Sequence, residues 1–367
     1  MKRGHGLSWL ILVLSILFVM QFENIVSQAS KLVDENYKRS NQVFFNLNND
    51  FEYRAQIFTI KDAFLIVGRT SVQYISSEGR ILWEKDVSSQ NVSVAAGSDY
   101  FVLVEKKAGD VFVINRNGEI IAKRFALGAI EAIKSFDDSY FGVLKASNEL
   151  VLLDKKLKTV CSTVLPKGVI IDYELDIDKQ NIAIVLLDLS RKEFNSKLVL
   201  ASFGGNITSG SNISGEIAYD MKLFKNHISI LSDTGILYYG FDGKLENAFA
   251  SEQIISSFIL EEQPWLYLKT PTTGTVPIDA KSDRLVQLSQ EGKVLNTFEP
   301  PISPIDGLKP FGENLVAFNT ERVVIVNMAG KVVESYLGTE KITDVHLLGD
   351  RSFAIEYINH LDIYTLK

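Results

Sequence analysis

The feature that most constrains this chain is a turn that recurs at a near-fixed spacing. In "SSEGRILWEKDV", "NRNGEIIAKRF", "GFDGKLENAF", "LSQEGKVLNTF" and "NMAGKVVESYL" a Gly stands two residues before Ile, Leu or Val. Gly79, Gly118, Leu157 (in "DKKLKTV"), Gly205, Gly243, Gly292 and Gly330 occupy equivalent places, at intervals of 39, 39, 48, 38, 49 and 38 residues. A unit of about 40 residues made of short alternating runs points to a β-propeller with four strands per blade. The chain of 367 residues is long enough for one such ring.

The runs between the turns have strand composition. "AFLIVGR" and "TSVQYI" precede Gly79 and "ILWEKDV" follows it, while "NLVAFNT" and "RVVIVNM" precede Gly330 and "KVVESYL" follows it. They are β-branched and aromatic, and Gly, Asn, Asp and Ser bound them. The near-continuous apolar second strand suits burial on both faces, between neighbouring blades. A helical repeat of this length needs two long amphipathic helices per unit, and none is visible after residue 41. Gly supplies the positive φ that a tight hairpin requires. "DKKLK" lacks the Gly, so a different or longer turn is expected there.

Seven such turns join a third strand to a fourth. After Gly330 come "ITDVHLL", "SFAIEYI" and "LDIYTLK", three strands without a fourth. "QVFFNL" (Gln42 to Leu47) is a stray strand-like run at the other end, and as the missing fourth strand it closes an eight-bladed ring. The alternative is seven blades, if the weakly marked unit at 169–213 is not one. Closure removes two exposed edges. The two long intervals place their extra residues between strands two and three, in Asp188–Lys197 and Thr270–Asp283. Both leave the ring on the same rim, and long loops on a rigid scaffold are where binding residues tend to sit. Arg191, Lys192, Phe194, Thr272, Thr273 and Asp279 are the candidate partner-binding residues, mixing charge, hydroxyl and aromatic character.

The N-terminus carries a membrane signal. Lys2 and Arg3 precede an uncharged run from Leu7 to Phe22 whose apolar residues are Leu7, Trp9, Leu10, Ile11, Leu12, Val13, Leu14, Ile16, Leu17, Phe18 and Val19, with Met20 and Phe22 beyond. A positive flank before such a run directs export. Residues 1–22 are expected to be a single-pass signal anchor, 23–41 a stalk or linker, and 42–367 an extracytoplasmic propeller. Cleavage after the small-x-small "SQA" (Ser27 to Ala29) and secretion is the alternative.

Chemistry is sparse. The net charge of −7 argues against a nucleic-acid partner, which a basic face would mark. Cys161 is alone, so no disulfide framework or cysteine zinc site exists, and it reads as a small buried hydrophobe. His227, His346 and His360 are far apart in sequence and make no metal-ligand motif, so no metal is expected. "DYELDIDK" would put Asp172, Glu174, Asp176 and Asp178 on one strand face, as a cation or acid/base site or, more simply, as a solvated acidic strand. No hydrolase elbow or phosphate-binding loop occurs.

The unit "LIVGRTSVQYISSEGRILWEKDV", through Val72-Gln73-Tyr74-Ile75, Gly79, Leu82 and Trp83, resembles the repeat of PQQ-type (quinoprotein-like) propellers. The layout, a short N-terminal anchor and then a degenerate propeller, is similar to DUF5711-type exported proteins of Gram-positive bacteria. The resemblance implies an eight-bladed ring. Quinoprotein dehydrogenases carry a docking tryptophan in nearly every repeat and a calcium and quinone site of acidic, Asn and Arg residues. Here only Trp83 and Trp265 lie in the domain, with no comparable cluster. The resemblance therefore implies the noncatalytic branch: a scaffold without cofactor that docks a protein partner or a cell-envelope component. An enzyme or ligand-binding propeller with a site at the central channel is the alternative.

Overall fold

Each apolar run ends at a turn and folds back on its predecessor, giving eight antiparallel four-stranded sheets. The computed structural model describes residues 37–44, 55–68, 71–87, 91–136, 139–189, 195–261, 263–270, 282–349 and 351–366. Residues 39–365 make up one unit, whose architecture follows; the other unit, Met1–Lys38 with Leu366–Lys367, contributes only Tyr37, Lys38 and Leu366 to the described residues. Blades 1 to 7 span 56–86, 92–124, 130–164, 169–214, 218–250, 254–298 and 307–337; blade 8 takes three strands from 344–366 and its fourth from Tyr37–Phe44. The fold is an all-β, eight-bladed propeller. The unit at 169–213 is a full blade, which removes the seven-bladed alternative. No helix among the described residues is long and apolar enough to cross a membrane. The expected anchor residues, Leu7 to Val19, lie outside the described residues.

Burial follows strand position. The second strands Ala63–Val67 and Ile228–Ser232 are buried at every residue, whereas the fourth strand Ile81–Asp86 is exposed or half-buried throughout. Apolar clusters fill the clefts between consecutive blades. Val102, Val113, Phe141 and Leu153 join blades 2 and 3, and Ile230, Leu237, Val185 and Leu198 join blades 4 and 5. Between blades 7 and 8 the filling is aromatic, from Phe311, Tyr336, Phe353 and Tyr364. Blade 8 meets blade 1 through Ala354, Leu361 and Ile363 against Phe64 and Ile66, which completes the ring.

The seven repeated turns are one structure. The Gly N–H donates to the carbonyl three residues earlier, and that earlier residue's N–H donates to the carbonyl just past the Gly: Gly79 to Ser76 and Ser76 to Arg80, both at 2.9 Å. The six glycines have φ between 75° and 81°. A register shift follows each turn, as in Tyr74↔Trp83 beside Ile75↔Ile81, so each hairpin ends in a bulge. Where the first residue is Asn or Asp, its side chain caps the turn. Asn115 Oδ1 accepts from the N–H groups of Asn117 and Glu119, and Asn327 Oδ1 from those of Ala329 and Lys331.

"DKKLK" forms this same turn, neither different nor longer. Leu157 takes the glycine position at φ 61°, its N–H donating to Asp154 at 2.8 Å. Asp154 Oδ1 caps the N–H groups of Lys156 and Lys158. A left-handed Leu costs about 1–2 kcal/mol, and burial of its side chain between blades 2 and 3, with 3% exposed, offsets that. Leu157→Ala should cost about 3 kcal/mol, as a truncated core leucine does. Leu157→Gly loses the same side chain but removes the Cβ clash, so it should be about 1 kcal/mol more stable than the Ala variant. Urea midpoints read the order, and an Ala variant more stable than the Gly variant contradicts strain at this turn.

Ring closure uses the N-terminal strand, earlier in the chain than Gln42–Leu47. The strand is Tyr37–Phe44, on the outer side of His360–Leu366. Residues 37–41, read from sequence as stalk, are therefore strand, and 45–47 lie outside the described residues. The polar residues Arg39 and Gln42 belong here because Asp362, fully buried, needs donors. Arg39 Nη2 lies 2.8 Å from Asp362 Oδ1, and Gln42 Nε2 donates to the same oxygen at 2.9 Å. Val43 buries itself beside Leu361 and Ile363. Asp362→Ala removes the shared acceptor and should destabilise the full-length protein by about 2–4 kcal/mol. Arg39→Ala, at a side chain 42% exposed, should cost about 1 kcal/mol. Thermal melts compare the two; equal losses would mean that Gln42 contributes nothing to the closure.

Candidate functional site

The first strand of each blade lines the channel, and its charges gather in two places. In blade 3, Lys134 reaches across to blade 4. Its Nζ lies 3.0 Å from Asp172, 2.6 Å from Glu174 and 3.2 Å from the Tyr173 carbonyl. Blade 7 repeats the device: Lys309 Nζ meets Asp344 at 2.7 Å and the Val345 carbonyl at 2.6 Å on blade 8. Each Asp also accepts the N–H of the next residue, as Asp220 does on blade 5.

After a register shift between Ile170 and Asp172, the "DYELDIDK" strand pairs regularly from Asp172 to Asp176, so Asp172, Glu174 and Asp176 share a face as the alternation predicts. Asp172 and Glu174 share Lys134, Asp176 pairs with Lys179 at 3.2 Å, and Asp178 lies past the strand's end. The four carboxylates do not converge on one point, so this run is not a single cation site. Tyr173 between them is buried and donates to the Gly142 carbonyl at 2.7 Å. A Cβ at Gly142 would enter its ring.

Burial raises the carboxyl pKa of Glu174, against the pull of Lys134. Burial opposes the Lys134 charge, but Glu174 and Asp172 outweigh it and hold the ammonium above its ordinary range. Partial burial, then repulsion from Asp172, pushes the half-buried Asp220 up to about 6. Asp220, near Lys134 and Asp172, can therefore hold a proton close to neutral pH, which is the capacity a general acid or base needs.

The histidines fall where sequence did not group them. His346 Nε2 lies 2.6 Å from Glu356 Oε2, both buried, and one ligand atom each from Asp344, His346 and Glu356 lie within 4.8 Å of one another. This trio could hold a metal ion. Spacing hid it, because Glu356 joins from the second strand, opposite Asp344. His227 stacks on Phe224 and lies tilted against Tyr238 beside the strand one-to-two turn of blade 5, and His360 stacks on Tyr357. Cys161 is buried, and burial pushes its thiol up.

The two long connections join strand two to strand three, in blade 4 from Asn181–Asp188 to Asn195–Ser202 and in blade 6 from Trp265–Lys269 to Arg284–Leu288. In an antiparallel blade that connection leaves the end opposite the Gly turn, so both belong to one rim. Arg191, Lys192, Phe194, Thr272, Thr273 and Asp279 lie outside the described residues. The loop bases are described, and both are built. In blade 4, buried Asp188 pairs with Lys197 at 2.5 Å, and Asn195 Oδ1 accepts the Gly215 N–H at 2.9 Å. In blade 6, Asp283 accepts from the Thr270 N–H at 2.9 Å, Tyr267 at 2.7 Å and Ser303 at 2.8 Å. Those bonds outweigh burial and hold the Asp283 carboxyl below its usual range. Buried Gln253 ties Thr270 to Ser282, donating from Nε2 at 3.1 and 3.4 Å. Sequence reasoning found the loops and missed these anchors, since Gln253 and Ser303 come from connections outside the strand pair they serve.

The model of DUF5711, described as a family of unknown function, matches residues 35–363. The chain belongs to the DUF5711 family. No curated protein matches its sequence. Solved structures resemble the DUF5711 propeller in fold. BamB from Moraxella catarrhalis aligns over 90% of this chain and 99% of its own, at 11% identity and TM-score 0.57. The C-terminal WD40 domain of Sif2 aligns over 89% and 99%, at 12% identity and TM-score 0.62. NirN, a dihydro-heme d1 dehydrogenase in complex with DHE, aligns over 79% of this chain and 67% of its own, at 11% identity and TM-score 0.58. These likenesses place the DUF5711 chain among β-propellers by fold.

Asp220 gives the channel a pH signature. Its folded pKa, about 6, lies above the ordinary 3.8, so its ionisation opposes folding. The penalty is absent below pH 4, grows from pH 4 to 6 and is constant above. Asp220→Asn keeps the bond from the Met221 N–H and should stabilise the protein above pH 6.5 by about 1–2 kcal/mol after solvent screening. Below pH 4 it should change nothing. Melting temperatures across pH 3.5–8 read the difference, and a gain of equal size at every pH would mean that ionisation is not its source.

Proposed function

We propose that this DUF5711 protein is a noncatalytic, membrane-anchored extracytoplasmic scaffold whose loop rim docks a protein partner or a cell-envelope component. The observation that carries the reading is the pair of loop bases on one rim. Loops drifting without function need no clamp, yet Asp283 and Gln253 fix both ends of 271–281, and Asp188 with Lys197 fixes the base of 190–194. Rigid bases under long connections are how a scaffold lowers the entropy lost when a loop binds. The charged groups of the channel are engaged with one another, Lys134 with blade 4 and Lys309 with blade 8. The anchor rests on the uncharged run Leu7 to Phe22 and the Lys2 and Arg3 flank. The propeller likeness to BamB fits a platform for protein contacts.

A catalytic reading has one observation in its favour, the raised Asp220 beside Asp172 and Lys134. It requires a reactant in the channel, and Asp220→Asn would then abolish turnover that loop shortening leaves intact.

Replacing 190–194 and 271–281 by short Gly turns should leave the melting temperature within a few degrees of wild type, because closing a shorter loop carries no large entropic penalty. Capture of partners from intact membranes should be lost. Shortened forms that recover the same partners as wild type would move the binding surface to the opposite rim or the channel mouth.

A further inference from the structure

Beside the 271–281 base, blades 5 and 6 leave a cleft of about 280 Å³. Phe249 of blade 5 and Val294 of blade 6 wall it, over Leu268 and Val286. Arg284 lines it and is half-buried. A guanidinium has five N–H donors. Arg284 directs Nε and Nη2 to one acceptor, Gln253 Oε1, at 2.9 and 2.5 Å. Among the described residues it forms no ion pair. A neutral amide orients this cation without neutralising it.

The orientation is firm. Gln253 is 6% exposed, and its Nε2 donates to Thr270 and to the Ser282 carbonyl, so its Oε1 is fixed toward Arg284. The other loop base differs: Lys197 is already paired with buried Asp188. Of the two bases, that of blade 6 offers a charge without an ion-pair partner among the described residues. An oriented Arg without an ion-pair partner among the described residues, in a cleft lined by Phe249, Leu268, Val286 and Val294 and with Glu252 also in its lining, is complementary to a carboxylate.

We infer that this cleft is a docking site for an Asp or Glu side chain of the partner protein, with Arg284 as the specificity-determining residue and Gln253 as its positioning residue. The inference rests on the scaffold reading above and names the chemistry of its partner. The carboxylate takes the Arg284 N–H groups that Gln253 leaves. An aliphatic neighbour of the acid packs between Phe249 and Val294. Glu252, exposed at the mouth, favours a basic residue farther along the same segment.

Selection of full-length protein against a library of displayed random 12-residue peptides, with no free C-terminus, tests this. Binders should carry an Asp or Glu next to an aliphatic residue. Arg284→Gln should weaken them at least tenfold, and Arg284→Lys less, with melting unchanged in both. Changing the acid to its amide should match the loss. Binders without an acid, or binding within twofold in Arg284→Gln, would overturn the assignment, as would binding only by peptides with a free terminal carboxylate. Should Arg284→Gln fail to fold, the wild-type Arg284 Nε–H resonance decides: it moves on adding the selected acidic peptide, or the inference is wrong. If loop shortening abolishes partner capture and Arg284→Gln does not, this inference fails and the scaffold reading stands.

Discussion

The contact on which this ring depends is the seating of one blade's outer strand on the next blade's left-handed turn. Trp83 donates from Nε1 to the Arg116 carbonyl at 2.9 Å and lies over Gly118, whose absent Cβ would come within 2.9 Å of the indole. Ser209 donates to the Asp242 carbonyl at 2.7 Å, and Asn247 to that of Glu291. Arg124 donates to Leu157 at 2.9 Å. Phe298 covers Gly330 by packing alone. In each case the turn presents a main-chain carbonyl within two residues of its left-handed position, or the bare Cα of its Gly. The incoming side chain can then be tryptophan, serine, asparagine, arginine or phenylalanine. The acceptor is backbone and does not mutate, which lets the repeat degenerate without opening the ring.

The same logic extends inward. Seating the outer strands sets the distance between neighbouring first strands, and Lys134 and Lys309 each bridge that distance to the following blade. The two bridges stand four blades apart, on opposite sides of the channel. Closure adds a third kind of bridge, Arg39 and Gln42 on Asp362, because blade 8 must recruit its fourth strand from the start of the chain. Each device puts a polar group where neighbouring blades or strands must hold together, and each finds a partner across the joint. What remains for binding lies outside these joints, in the connections whose length the ring does not fix.

The architecture was legible in the sequence because its signals are local. Positive φ selects Gly at six turns, and burial on both faces selects unbroken runs such as "AFLIV". Leu157 escaped because a turn capped by Asp154 and a buried side chain tolerate a residue that propensity disfavours. The start of the closing strand escaped because Arg39 and Asn41 look like linker until the buried Asp362 is known, 320 residues from Gln42. The Asp344, His346 and Glu356 trio and the Gln253 clamp are tertiary: their members sit on different strands or connections, and no spacing rule unites them. In "DYELDIDK" the alternation holds from Asp172 to Asp176, which pair in unbroken register, but Asp178 lies past the strand's end and the lysines that take the carboxylates, Lys134 and Lys179, come from another blade and from the following turn.

A ring held by backbone acceptors also bears on why the channel carries no strong sequence signature. If the blades were locked by a particular side chain, the repeat would be conspicuous and its exceptions would mark function. Here exceptions are everywhere, since only Trp83 fills the tryptophan place, and an irregular repeat unit carries no functional information by itself. The informative irregularities are those that leave a demand unmet. Lys134, Lys309 and Asp362 each have a partner of opposite charge. Arg284 is held by a neutral amide. A folded ring gains nothing from holding a half-buried guanidinium without an ion-pair partner among the described residues, because burying a charge opposes folding. That arrangement is one a chain can retain when the missing carboxylate arrives from outside.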